Sequence, residues 1–305
     1  MGIEVTAHRS DLGRWRAAQR PAEPRYSDYV LGYFASEGFL PSPLQERHLP
    51  GREVTIVLNF GAPHRIVDPS DPKRTTEHRN AWVVAPQHRH QIREAFGNRD
   101  FMVIRFTPIG AQMILRTPMD LLTDRTLQLE DIDRRFSRLL TGHADPAHDW
   151  ATRFDAVENL IAARLASAPS PPAGLLHSWR ILQESPNHVD LARLPEELGC
   201  SRRHLIAQFH KYFGMTPKMA ARNGRFHLAV AAVHRLGRDP SPYVAGKPYL
   251  DCQADGSTRT AAQMTMRWAD LALGCGYYDQ SHFINEFKFF SGLTPVEFLE
   301  RTRHE

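Results

Sequence analysis

The spacing of apolar positions changes character part-way along the chain. In roughly the first hundred residues the apolar runs are short, β-branched or aromatic, and bounded by turn residues: Val54–Phe60, Ala81–Ala85 and Phe101–Phe106. Such runs predict strands, and the Pro-, Gly- and Asp-rich stretch after Phe60 predicts turns. From Asp149 to Leu165, by contrast, Trp150, Phe154, Val157, Leu160, Ile161 and Leu165 form the stripe of an amphipathic helix. Residues 1–167 therefore read as an α+β domain, β-barrel-like with helices. The helix at 149–165 would either pack on its own domain or pair two subunits, with a lean towards dimer contacts.

Residues 168–174, Ala-Pro-Ser-Pro-Pro-Ala-Gly, cannot continue a helix and predict a linker. Residues 175–305 are helical in pattern and read as an all-α domain. One stretch, 237–263, is rich in Pro and Gly, has no helical stripe, and predicts a long loop insertion.

The all-α part repeats itself at an offset of 78 residues. Ser201 corresponds to Asp279, His204 to His282, Leu205 to Phe283, Phe209 to Phe287, Gly214 to Gly292, Thr216-Pro217 to Thr294-Pro295, and Arg225 to Arg303. Each copy reads as one mechanical unit. Asp190–Leu198 predicts a short helix, Gly199-Cys200 a turn, and Ser201 an N-cap. Leu205 and Phe209, four apart, share an inward face. Gly214 ends the helix and Thr216-Pro217 starts another. In the second copy, Trp268–Cys275 is followed by a turn at Gly276, a helix capped by Asp279, a stop at Gly292 and a restart at Thr294-Pro295. Helix, tight turn, helix is the helix-turn-helix pattern. Pro217–Leu236 would be a rod of roughly 30 Å at 1.5 Å per residue, close to one turn of B-DNA at about 34–36 Å. It could hold two reading helices over successive major-groove segments. Pro195 falls inside the short helix of the first unit and predicts a late start or a bend there.

The segments LGCSRRHLIAQFHKYFGMTP (198–217) and GYYDQSHFINEFKFFSGLTPVEFLERTR (276–303) resemble the two halves of AraC-type transcription regulators. The resemblance covers residues 175–305 apart from the loop. It implies a DNA-binding domain with two helix-turn-helix units joined by a linker helix. The N-terminal half is similar to the β-rich sensor or dimerisation domain of one subgroup, which implies a small-molecule effector.

With Leu205 and Phe209 inward, the leading outward positions of the first reading helix are Arg202, Arg203, Ile206 and Ala207. Those of the second are Gln280, Ser281 and Asn285. Arg suits guanine, Gln and Asn suit adenine, and small or apolar groups suit the thymine methyl. Ser201, His210, Lys211, Lys218 and Lys288 are the expected phosphate contacts. His204 and His282 fit structural bonds near the helix starts better than base reading. Arg225 and Arg303 are open between packing and phosphate contact.

Charge separates the two units, although the net charge of the chain is only +4. Residues 199–235 carry Arg202, Arg203, Lys211, Lys218, Arg222, Arg225 and Arg235 with no acid, a formal +7 that suits phosphate attraction. Residues 268–300 carry Lys288 against Asp270, Asp279, Glu286, Glu297 and Glu300, a formal −4. The first unit is therefore expected to supply most of the affinity, and the second to supply register or partner contacts. Some of these acids are alternatively caps or a protein-binding surface.

The rest of the chain adds little chemistry. The three cysteines, Cys200, Cys252 and Cys275, make neither a disulfide framework nor a zinc pattern. There is no secretion-signal core, no membrane-span run, no P-loop and no HExxH, GxSxG or dinucleotide fingerprint. A cytoplasmic, double-stranded-DNA-binding regulator that is not an enzyme and needs no cofactor is the expectation. RNA polymerase and a second copy of the chain are its candidate protein partners. The alternative reading is a cupin-like metal-binding enzyme with a degenerate helix-turn-helix domain, motivated by His88, His90 and Glu94 in H-x-H-x3-E spacing. A third is a DNA-independent scaffold.

Overall fold

The computed structural model describes residues 2–67, 75–172, 174–184, 186–187, 189–237 and 261–301. Its N-terminal part is one antiparallel sheet: β1 (Glu4–Ser10), β2 (Gly13–Arg20), β3 (Val30–His48), β4 (Val54–Asn59), β5 (His64–Val67), β6 (Thr75–His78), β7 (Ala81–Val84), β8 (Gln91–Phe106) and β9 (Thr126–Gln128). The strand order is β1-β2-β3-β8-β4-β7-β9, with β5 bridging β6 and β8. β8 is the spine. One edge pairs with β3 from Val30↔Phe106 to His48↔Gln91, while the other carries β4 and then β5.

Strand alternation gives the sheet two faces. Tyr33, Ala35, Ile56, Leu58, Val83, Met102, Ile104 and Phe106 are buried beneath helices. These are α1 (Pro108–Leu115, capped by Thr107), α2 (Leu129–His143) and α3 (Trp150–Ala166, capped by Asp149). On the other face Val57, Trp82, Val84 and Phe101 form a smaller cluster. The apolar stripe of α3 packs inward on its own domain, with Phe154, Val157, Ile161 and Leu165 buried. Buried Arg20 of β2 ties the helix down through Asp155 and, at 2.9 Å, Glu158. The lean towards dimer contacts by this stripe is thereby corrected.

The C-terminal part is α4 (Leu175–Glu184), α5 (Leu194–Glu197), α6 (Arg202–Phe213), α7 (Pro217–Gly237), α8 (Ala261–Gly274), α9 (Gln280–Ser291) and α10 (Pro295–Arg301). Two expectations need correction. The short helix of the first unit occupies only Leu194–Glu197 rather than Asp190–Leu198, with Pro195 in its opening turn where a missing N–H costs nothing. The expected loop at 237–263 is trimmed at both ends. Gly237 closes α7, and α8 starts seven residues before Trp268, because Ala261–Arg267 contains neither Pro nor Gly. Residues 238–260, with Cys252, lie outside the described residues, as does Arg303.

The apolar interior does not divide where the chain does. Trp179, Leu205, Phe209, Tyr212 and Phe213 of the first unit belong to the same cluster as the sheet and α1–α3. The second unit has a separate interior of Phe226, Trp268, Phe283, Phe287, Phe290 and Phe298.

Candidate nucleic-acid interface

The two helices expected to read DNA, α6 and α9, are built by the same local devices. The Ser201 hydroxyl accepts from the His204 N–H at 3.2 Å, and the Asp279 carboxylate accepts from the His282 N–H at 2.7 Å. Each cap satisfies a first-turn donor that the helix leaves orphaned. At the far ends Gly214 (φ 69°) and Gly292 (φ 74°) are left-handed and return their N–H groups to His210 and Lys288 carbonyls. Thr216 caps α7, and Thr294 forms a reciprocal capping box with Glu297 before α10.

Packing then decides which side chains face outward. Leu205, Phe209, Phe283 and Phe287 are buried, as the repeat predicts. On α6, Arg202, Arg203, Ala207 and Lys211 are exposed, while Ile206 and His210 are half-buried. On α9, Ser281, Asn285 and Lys288 are exposed and Gln280 is half-buried. Ser201 is exposed but its hydroxyl serves the cap, and Lys218 is exposed in the first turn of α7. His282 accepts from the Tyr278 N–H at 3.4 Å, and His204 lies 3.3 Å from Gln208.

The charge contrast between the units shrinks once partners are assigned. Asp279 is a helix cap and Glu297 belongs to a capping box. Glu286 accepts two hydrogen bonds from Arg222 of α7, at 2.7 and 2.9 Å. Three of the five acids of the second unit are thus structural. The first unit in turn commits Arg222, leaving Arg202, Arg203, Lys211, Lys218 and Arg235 as exposed cations and Arg225 half-buried.

The sequence pattern gave no sign of the contacts these units make with the N-terminal domain. Thr123 Oγ1 donates to the Gly214 carbonyl at 3.0 Å. The His90 N–H donates to the Phe290 carbonyl at 2.9 Å, and Arg47 to the Ser291 carbonyl at 2.9 Å. The buried His227 of α7 pairs with the Pro50 carbonyl at 2.9 Å. Burial, with Arg52 nearby, holds the His227 imidazole at about 3, so it stays neutral and donates from Nε2.

The trio behind the metal-enzyme alternative is dispersed. His88 bonds Asp124 at 2.6 Å, His90 packs on Gly292, and Glu94 pairs with Arg65 and Gln45. Among the described residues no group of three His, Cys, Asp or Glu could hold a metal ion.

The outer face of the sheet carries a polar group of its own. Glu46 and His48 of β3 lie 3.4 Å apart, beside Arg93 and Arg99 of β8 and His64 of β5. Burial would raise the Glu46 carboxyl, but the His48 hydrogen bond and the Arg99 and Arg93 charges outweigh it and hold it at about 2. Burial, reinforced by Arg99 and Arg93, lowers His64 to about 4. His64 also packs against Trp82 and Phe101, at 5.3 and 5.5 Å between ring centres.

Residues 19–128 match the family described as a domain of unknown function, DUF6597. No curated protein matches the chain. Among solved structures, ToxT from Vibrio cholerae is similar at 9% identity, covering 98% of each chain with a TM-score of 0.41. ToxT bound to (E)-4-(8-methylnaphthalen-1-yl)but-3-enoic acid is similar at 10% identity over 98% and 99% of the two chains, TM-score 0.42. The AraC-like transcriptional activator CuxR is similar at 12% identity over 72% of this chain and 84% of its own, TM-score 0.29. The present chain has the architecture that its resemblance to AraC-type regulators implies, an antiparallel β-sheet domain followed by a helical region with two helix-turn-helix units. No described helix is long and apolar enough to cross a membrane.

Proposed function

We propose that this protein is a sequence-specific, double-stranded-DNA-binding transcription regulator of the AraC type. The observation that carries the reading is the pair of equivalent helices α6 and α9. Each has a polar N-cap, a buried aromatic face and an exposed leading face, and α7 joins them. The leading faces supply Arg202, Arg203, Ile206 and Ala207 on one side and Gln280, Ser281 and Asn285 on the other for base edges. His210, Lys211, Lys218 and Lys288 would contact phosphates, with Ser201 contributing at the helix start. Binding of the full chain to its own promoter region, against competitor DNA, tests this. A preference for the promoter is expected, and equal affinity for all sequences overturns it.

The N-terminal domain is the sensor in this reading. Its effector site is the mixed surface of Glu46, His48, His64, Arg93 and Arg99 beside Trp82 and Phe101, where charged donors border aromatic rings. A small-molecule screen by thermal shift should find ligands whose effect disappears in Arg99→Ala. Ligands that shift wild type and Arg99→Ala equally would move the effector elsewhere. With the α3 stripe buried, a second copy of the chain or RNA polymerase would use other surfaces.

A further inference from the structure

Two stretches of the N-terminal domain, residues 85–91 and 118–126, form one lip. The Asp124 N–H donates to the Pro86 carbonyl at 3.0 Å, and Gln87 reaches the Ala85 and Arg125 carbonyls at 3.0 and 3.1 Å. His88 clasps the Asp124 carboxylate through its backbone N–H at 2.7 Å and its ring at 2.6 Å. Asp124 itself is left-handed, at φ 59°, a conformation a non-glycine residue adopts where its surroundings enforce it.

This one lip touches both reading helices at the same place. On one half, Thr123 Oγ1 donates to the Gly214 carbonyl. On the other, the His90 N–H donates to the Phe290 carbonyl, two residues before Gly292. Gly214 and Gly292 are equivalent positions of the repeat. A Cβ on Gly214 would strike the Thr123 hydroxyl, and one on Gly292 would strike the His90 ring. Phe289, next to Phe290, has two guanidiniums over its ring, Arg89 of the lip and Arg222 of α7, each 4.9 Å from its ring centre. The lip contacts leave Arg202, Arg203, Ala207, Ser281 and Asn285 exposed. It therefore braces the readers without covering them.

We infer that the lip is a cross-brace, and that Thr123, His90 and the His88–Asp124 pair are positioning residues that fix the separation of the two reading helices. α7 holds the readers along one side, and the lip holds them at their C-terminal caps. Two points of attachment fix orientation where one would leave a hinge. One base pair of displacement turns a half-site by about a tenth of a helical turn, so a brace of this kind selects the spacing between half-sites. The inference rests on the DNA-binding reading for its consequence, but not for its geometry.

Two measurements on the full chain test it. The first selects sites from a random double-stranded DNA pool. The wild type should enrich a bipartite site with one spacing. Asp124→Ala and Thr123→Val should keep the half-site sequences but accept several spacings, with discrimination between neighbouring spacings falling on the order of tenfold. Thr123→Ser, which keeps the hydroxyl, should restore the single spacing. An unchanged single spacing in both lip variants overturns the brace. The second needs no DNA: spin labels at Ala207→Cys and Ser281→Cys, in a Cys200→Ser, Cys252→Ser background, report the distance between readers. A narrow distribution that broadens in Thr123→Val is expected, and an unchanged one overturns the inference even where Asp124→Ala fails to fold. Failure of the wild type to enrich any site, with the distance still lip-dependent, would overturn the DNA-binding reading and leave the brace standing.

Discussion

Arg222 of α7 holds Glu286 of α9 with two hydrogen bonds, 2.7 and 2.9 Å long, its guanidinium stacked near Phe289. A carboxylate that reads as a liability for DNA binding is thus a strut between α7 and α9. The pair is only partly exposed, with side chains 25% and 13% accessible. Breaking it leaves the remaining charge poorly solvated, at a cost of about 1.5–3 kcal/mol. Glu286→Leu and Arg222→Leu should each lower the urea midpoint, and the double variant should be milder than the sum. Strict additivity would show that the two groups do not interact.

The two kinds of expected DNA contact should separate in binding data. Arg203→Ala should cost about 1–3 kcal/mol and relax preference at one base position. Lys211→Ala should weaken all sequences alike and lower the salt slope by about one. Titrations against the preferred site and its single-base variants distinguish them. An unchanged preference in Arg203→Ala would contradict its place as a base reader.

Acid should destabilise the fold well before carboxylates titrate. Burial is the leading cause that depresses His48, His64, His78, His90, His227 and His234. An imidazole depressed in the native state is protonated first in the unfolded chain. It contributes nothing above the unfolded value of about 6.5, and stability falls as pH drops from there towards the native value, about 3 for His227. For the buried His227 this steepens the loss by up to about 1.4 kcal/mol per pH unit, and the half-exposed imidazoles contribute less. Denaturation midpoints should be flat between about pH 7 and 8 and fall between about 6.5 and 5. His227→Gln, which retains a donor for the Pro50 carbonyl, should flatten part of that fall.

Glycine-to-alanine changes should differ in sign by location. Gly292→Ala puts a Cβ on a left-handed residue and against the His90 ring, and should destabilise by about 1–3 kcal/mol. Gly142, within α2, has open space around it, and Gly142→Ala should stabilise by about 0.5–1 kcal/mol. Thermal unfolding of the two variants checks both signs.

What the sequence disclosed is what local chemistry determines. Ser201, Asp279, Gly214 and Thr216 announce helix ends because their side chains or backbone serve neighbours three or four residues away. Leu205 and Phe209 disclose the buried face by spacing alone. Thr294 and Glu297 could have been recognised as a capping box at their spacing of three, which would have removed one acid from the charge count. The sheet order was not legible. β3 runs 19 residues through Pro41 and Pro43 with little alternation, and its partner β8 lies more than forty residues away. Nor could any local pattern foretell that Thr123 meets Gly214 or that Glu286 meets Arg222, since both are meetings across the fold.

The uneven interior has a consequence for dissection. The first unit shares Trp179, Phe209 and Phe213 with the cluster beneath the sheet, whereas the second encloses its aromatic residues within α7–α10. Cutting the chain at 174 would strip the first unit of the apolar cluster it shares with the sheet, and the second only of Leu49 at the margin of its cluster and of its contacts with Arg47, Pro50, Arg89 and His90. The second unit has the more self-contained interior; the first is, in its packing, an outgrowth of the N-terminal domain.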